Sequence, residues 1–385
     1  MFLEQTVRRN QELVRASFQL HQSGQIQPDS YVIDVDTFLE NASSMQKEAK
    51  NRDIRLFFML KQAGRNPYLA RKLVEVGYEG AVVVDYKEAR VMMDHQIPIA
   101  NAGHLVQIPT SQVEEMVAYR PQLITVYSEE KIREVHQAAV KLGLIQNILL
   151  RVFGDTDMIY SGQTAGFPLE ELKELAARVK SLYPGVKIAG ITSFPCFLYD
   201  EAAGDFLPTG NMSTVKQAAG ILKEQGVDLS VVNTPSASCT HTLKRIKELG
   251  GNCAEPGHGL TGTTPMHADH MLEEVPCVTY VSEVSHNFEG LAYCYGGGHY
   301  RRSHVKGALV GTSFEHSGKV GVIAPSDESI DYHFGLTREC DVGATVVMAF
   351  RYQIFVTRSD VVLVEGLKKK EPKIVGIYDS MGREK

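Results

Sequence analysis

Lys61 ends the apolar run Leu56-Phe57-Phe58-Met59-Leu60 and is followed by Gln62-Ala63-Gly64-Arg65-Asn66-Pro67. Five apolar side chains in succession suit a buried parallel strand, and Asn66-Pro67 suits the opening of the next helix. A lysine at such a strand end sits where an apolar wall meets a mouth, and desolvation there favours the neutral amine that attacks carbonyl groups. The chemistry this implies is Schiff-base formation; the ordinary alternative is a lysine that snorkels out of a strand end. Two later stretches bear on the choice. Ala254-Glu255-Pro256-Gly257-His258-Gly259-Leu260-Thr261-Gly262 is glycine-rich around a proline, so the backbone N–H groups of Gly257 and His258 could cradle a phosphate, or the stretch is a plain loop. Asn233-Thr234-Pro235-Ser236-Ala237-Ser238 offers hydroxyls to the same phosphate, or caps a helix.

The elements that must position these groups alternate regularly. After the Lys61 strand come Ala81 to Val84, Ile97 to Ala100, Leu123 to Val126, Ile148 to Val152, Ile188 to Ile191, Leu229 to Val232 and Cys253 to Glu255, with helical segments between them. The count of about eight is the number that closes a (β/α)8 TIM-type barrel, whose active sites lie at the carboxyl ends of the strands. Lys61, Arg151, Ser193, Ser236 and Glu255 would then face one mouth. Before the barrel, Leu13, Val14, Phe18 and Leu20 fall at helical spacing in an amphipathic helix over residues 1 to about 27, and Tyr31 to Asp36 reads as a strand with Asp36 capping the helix that follows. After about residue 275 the pattern turns β-rich, with Val278 to Val281, Gly307 to Val310, Ala344 to Met348 and Asp360 to Val364 as strands. The expected organisation is an N-terminal helix and strand over 1–35 that join the β-domain, a barrel over 36–274, and an all-β domain over 275–385.

Composition narrows the classes of function. The 385 residues carry a formal net charge of -6, with 43% hydrophobic and 22% charged residues, which describes a globular chain long enough for one large and one small domain. Mild acidity without basic clusters argues against nucleic acid as a partner. No apolar run approaches the roughly 20 residues that cross a bilayer, and no secretory h-region follows Met1, so no membrane association and a cytoplasmic location are expected. The six cysteines are scattered without zinc-type spacing and read as reduced thiols, and no metal site is expected.

Lys61 after a strand, Ser236 after the seventh strand and Glu255-Pro256-Gly257 at the eighth together resemble the fold-type III pyridoxal-phosphate enzymes, the alanine racemase and ornithine decarboxylase class. The nearest resemblance is to alanine racemase-like proteins of the YhfX type, carried by Lys-Gln-x-Gly-Arg-Asn-Pro from Lys61, Ala-Glu-Pro-Gly-His from Ala254 and Tyr-Cys-Tyr-Gly-Gly-Gly from Tyr293. It covers nearly the whole chain. The resemblance implies pyridoxal 5'-phosphate held by Lys61, an amino-acid substrate, and a homodimer with shared active sites in which one subunit's β-domain completes the other's barrel mouth. It gives Lys61 one face of proton transfer and Tyr295 the other, with Ser236, the backbone of Gly257 and His258, and Arg65 on the phosphate. Arg151 and Ser193 join the cofactor-binding set.

Departures from the family pattern refine this. Where alanine racemases carry an arginine, this chain has Glu255, which would keep the ring nitrogen of the cofactor protonated and strengthen its electron sink, as in the decarboxylases of the fold. Gly162 to Phe167 lacks the cation that grips alanine's carboxylate, so Arg351 and Arg358 are the candidates for a substrate carboxylate, or for salt bridges. Ser193 stands where relatives place a histidine. Cys340-Asp341 is similar to a decarboxylase pair but precedes a different strand, and Phe350-Arg351-Tyr352-Gln353 cannot bind zinc as the aldolases and dehydratases of the fold do. The expectation is an amino-acid racemase; the alternatives are an amino-acid decarboxylase and a non-catalytic pyridoxal-phosphate-binding regulator.

Overall fold

The structure, a computed structural model, describes residues 1–385 and divides into a barrel unit, Ser43–Leu60 with Pro67–Gly257, and a β unit, Met1–Ala42 with Lys61–Asn66 and His258–Lys385. In the barrel unit eight strands follow one another: Arg55–Leu56, Ala81–Val82, Ile99–Ala102, Leu123–Val126, Gln146–Phe153, Val186–Thr192, Val231–Asn233 and Cys253–Ala254. The second to eighth each pair in parallel with the next. The eighth returns to the first through Cys253 and Ala254 opposite Arg55 and Leu56, and a parallel bridge from Phe58 to Ala81 joins the first to the second. The ring is therefore closed, as the eight-beat sequence pattern requires.

Helices Pro67–Val76, Tyr86–Asp94, Val113–Tyr119, Glu129–Lys141, Leu172–Leu182, Gly210–Glu224 and Thr240–Ile246 alternate with the strands. Their starts are coded locally. Asp85 accepts the Glu88 N–H at 2.8 Å while the Glu88 carboxylate accepts the Val84 N–H at 2.7 Å, so the orphan donors of that helix end are satisfied by side chains. Strand residues such as Val82, Ile124, Leu149, Ile188 and Val231 are fully or almost fully buried, the continuous apolar pattern of strands covered on both faces. A hairpin of Phe197–Asp200 with Asp205–Pro208 is inserted after the sixth strand.

In the β unit, Val278–Phe288, Leu291–Tyr295, His333–Leu336, Ser317–Ile323, Gly307–Gly311 and Thr345–Met348 pair antiparallel in that order, and the last returns to the first. This six-stranded ring has no free edge. Ser30–Asp34 extends it, antiparallel to Val278–Phe288 and parallel to Asp360–Glu365, which in turn pairs with Lys373–Asp379.

The N-terminal helix is two helices, Phe2–Arg9 and Gln11–Gln22. Asn10 breaks them because its side chain caps the second, accepting the Leu13 N–H at 3.3 Å, while its amide donates to Asp34 at 2.9 Å. Leu13, Ala16 and Leu20 then pack on Val32, Val281 and Val362. The helix Val35–Asn51 is capped by Asp34, whose carboxylate takes the Thr37 N–H at 3.1 Å and the Thr37 hydroxyl at 2.6 Å. Asp36, read from sequence as that cap, lies inside the first turn and instead accepts the Gly366 N–H at 2.8 Å.

Candidate active site

The carboxyl ends of the barrel strands hold a buried polar cluster centred on Glu255. The residue follows the eighth strand, and its side chain is only 2% exposed. Asn233, ending the seventh strand, donates to Glu255 Oε1 at 2.7 Å, and Asn101, in the third, donates to the same oxygen at 3.4 Å. His104 Nε2 lies 3.4 Å from Oε2 with its own side chain 1% exposed. The Glu255 N–H donates to Ser238 Oγ at 3.3 Å. Thr125, from the fourth strand, donates to Asn101 Oδ1 at 2.7 Å and so orients that amide with its NH2 toward the carboxylate. Donors aimed at a buried carboxyl group offset part of the cost of taking it out of water.

Arg151, in the fifth strand, connects to this cluster through Tyr127. Its guanidinium lies 5.0 Å from the Tyr127 ring centroid and donates to the phenol oxygen at 3.1 Å, and that phenol donates to the His104 carbonyl. A second bond runs from Arg151 to the Gln163 carbonyl at 2.8 Å. Burial raises the Tyr127 phenol's pKa, against the pull of Arg151. Ser193, one residue past the sixth strand, donates to Asp157 at 3.3 Å and accepts from Asn211 at 3.0 Å. The neighbouring Phe194 ring stands edge-on to His104 at 6.0 Å and tilts over Tyr160 at 5.7 Å, so the sixth strand brings an aromatic side chain to the cluster beside Ser193. Ser236 donates to the Phe197 carbonyl at 2.8 Å, and it and Ala237 have φ of 102° and 53°. Such a left-handed turn gathers backbone N–H groups around an anion.

In the β unit, Lys61 opens the single 3-10 turn Lys61–Ala63 and is partly exposed. Its charge acts on His258 together with those of Arg351, His267 and Arg302, after burial, and all hold the imidazole well below its ordinary value. His258 is thus neutral. Its Nε2 meets Gln353 Nε2 at 3.2 Å and Arg351 Nε at 3.4 Å, both donors, which leaves the proton on Nδ1 for Thr263 Oγ1 at 2.9 Å. Lys61 and Arg351 therefore both act on one neutral imidazole, that of His258.

Arg65 is 2% exposed, its guanidinium lies 5.2 Å from the Phe355 ring centroid, and it donates to Met381 Sδ at 3.5 Å. Arg358 is in a salt bridge with Asp331 at 2.8 Å. Cys340 lies in a turn held by Asn287, and burial raises its thiol. Tyr295 ends the strand Leu291–Tyr295 opposite His333, with 40% of its surface exposed.

Sequence reasoning missed Asn101, His104 and Tyr127, and gave Asn233 no role of its own. A signal was present: Asn101 and Asn233 are polar residues within otherwise apolar barrel strands, at the carboxyl ends where barrel chemistry gathers.

Residues 33–265 match the family described as alanine racemase, N-terminal domain, and residues 279–374 match that described as YhfX-like, C-terminal domain. The chain is 48% identical over 383 residues to the uncharacterized protein YhfX of Escherichia coli (strain K12), covering 99% of each. Among solved structures it is similar to D-threonine aldolase from Filomicrobium marinum, with a TM-score of 0.68 at 19% identity over 93% of this chain and 96% of that one. A complex of alanine racemase from Clostridium difficile 630 with cycloserine gives a TM-score of 0.63 at 16% identity over 91% of this chain and 98% of that one.

Proposed function

Since the chain belongs to the alanine racemase N-terminal-domain family, in its YhfX-like branch, and that family is pyridoxal-phosphate dependent, we propose that it is an amino-acid racemase working as a cytoplasmic homodimer. The family carries the choice of racemase, and the observation that carries the cofactor reading is the Glu255 carboxyl group, buried beside Asn233, Asn101 and His104. A fixed buried anion suits a protonated ring nitrogen, and the Ser236-Ala237 turn suits a phosphate. Lys61 would hold the cofactor, Glu255 its ring nitrogen, and Ser236 with the backbone of Gly257 and His258 its phosphate. When bound, pyridoxal phosphate supplies the sink for charge developing at the substrate α-carbon.

The chain's own residues do the rest. The Lys61 amine takes the Cα proton on one face, and Tyr295 of the partner subunit gives one to the other; the reverse order serves the opposite antipode. The phenol of Tyr295, exposed at a strand end, is accessible for that role. Arg351, oriented toward neutral His258, is the candidate for the substrate carboxylate.

The test is incubation of the loaded protein with L- and D-amino acids in deuterium oxide. Deuterium at Cα of both antipodes of one amino acid, with inversion, is expected, together with a borohydride-fixed pyridoxyl group on Lys61. Loss of carbon dioxide instead would establish decarboxylation, the second reading, which Glu255 favours. An adduct on another lysine would remove Lys61 from the mechanism.

A further inference from the structure

The chemistry proposed above leaves unused a buried acid in the β unit. Asp29 precedes the strand Ser30–Asp34, and its Oδ1 accepts hydrogen bonds from the Ser359 hydroxyl and, at 2.9 Å, from Tyr280 Oη. The same Tyr280 hydroxyl is shared with the Tyr295 carbonyl oxygen at 3.5 Å, and Ser282 donates to that carbonyl at 2.6 Å. The backbone of Tyr295 is thus anchored while its ring is exposed.

The turn that follows is built around the same acid. A Cβ on Gly297 would lie 1.9 Å from Asp29 Oδ2, one on Gly296 would lie 2.1 Å from the Asp331 carbonyl oxygen, and one on Gly298 would lie 2.3 Å from the Tyr280 ring. Each of the three glycines is required by a different neighbour, and Gly297 also has φ of 126°. Tyr31 donates to the Gly298 carbonyl at 2.5 Å, and the Gly296 N–H donates to the Tyr332 carbonyl at 2.8 Å. The sequence gives up side chains over three consecutive positions so that the backbone can close on Asp29, Asp331 and Tyr280.

We infer that Asp29 is a positioning residue, which through Tyr280 and Gly297 fixes the Gly296–Gly298 turn and so aims Tyr295 at its substrate. The inference rests on the reading of Tyr295 as the second acid–base group. The groups facing Asp29 are Ser359, Tyr280, Tyr31, Arg358 and Asp331; burial raises its carboxyl to about 6, against the two hydroxyls of Ser359 and Tyr280 and against Arg358, with Asp331 adding to the rise. Above that pH the anion grips the Tyr280 and Ser359 hydroxyls by charge-assisted bonds, and below it the neutral acid holds them more weakly. The reaction through Tyr295 therefore gains an acid limb set by a residue that touches no substrate.

The experiment compares wild type, Tyr295→Phe and Asp29→Asn, reading Cα deuterium exchange of each antipode separately. Tyr295→Phe identifies the antipode whose proton the phenol carries. Asp29→Asn is expected to slow exchange of that same antipode by roughly tenfold or more, to leave the other within about twofold, and to lose the acid limb near pH 6. Its melting temperature at pH 8 should equal or exceed that of wild type, because a buried charge has been removed. Equal slowing of both antipodes, or of neither, would overturn the inference. If Tyr295→Phe itself spares both antipodes, the two-base reading fails, and amide-exchange protection of Gly296–Gly298 in the cofactor-free protein decides the anchor alone: reduced protection in Asp29→Asn and in Tyr280→Phe supports it, and unchanged protection in both refutes it.

Discussion

At the scale of single residues, Glu255 shows how a carboxyl group is held where water is excluded. Asn233 supplies its shortest bond, at 2.7 Å, and comes from the neighbouring strand. Asn233→Ala should cost about 1.5–3 kcal/mol, because a hydrogen bond to a buried charged acceptor is lost. Urea denaturation measures that cost, and weaker retention of pyridoxal phosphate by the variant would follow from the misplaced carboxylate. His258 makes a different prediction. Its imidazole stays neutral in the folded protein well below the ordinary value, so below about pH 6.5 the unfolded chain binds a proton that the folded chain does not, and stability falls as pH falls. The slope is about 1.4 kcal/mol per pH unit for one such group, and His258→Gln should be shallower by that amount between pH 6.5 and 5. A variant that follows the wild-type slope would place the proton uptake elsewhere, at His21, His299 or His333, whose burial also lowers them.

At the scale of elements, the eight barrel strands were legible because parallel strands covered on both faces are uninterrupted apolar runs. Leu123–Val126 was read to the residue. The β unit was less legible: its strands Leu291–Tyr295, Ser317–Ile323, His333–Leu336 and Lys373–Asp379 have broken burial patterns with glycine and charge among them, and their pairing is set by distant partners. The Glu255 cluster was half legible, since Glu255 sits in a glycine-proline motif while His104 owes its place to a loop after the third strand. Asp29 was invisible, because nothing local marks an acid whose partners lie some 250 to 330 residues away. The turn after Lys61 is also set by tertiary contact. Gly64 has φ of 64°, and a Cβ there would lie 2.8 Å from Val361 Cγ2. Gly64→Ala should destabilise the protein by at least about 1–2 kcal/mol from the backbone alone. It should also lower pyridoxyl incorporation at Lys61, three residues away, as read by borohydride trapping and peptide mapping.

At the scale of the whole molecule, the proposed mechanism has two copies of the chain build each site. No helix is long and apolar enough to cross a membrane. Apolar side chains are nonetheless exposed in the β unit, among them Ile330 at 61%, Tyr332 at 64% and Val356 at 58%, and burying them against a second subunit would remove apolar surface from water. In that mechanism Lys61 of one subunit and Tyr295 of the partner subunit act on opposite faces of one substrate. Subunit exchange between Lys61→Ala and Tyr295→Phe, each inactive in racemisation alone, tests it most directly. With random mixing of equal amounts, half the dimers carry one intact site of two, and racemisation should return to about a quarter of the wild-type rate. No recovery, with exchange of subunits verified by mass spectrometry, would contradict the shared site.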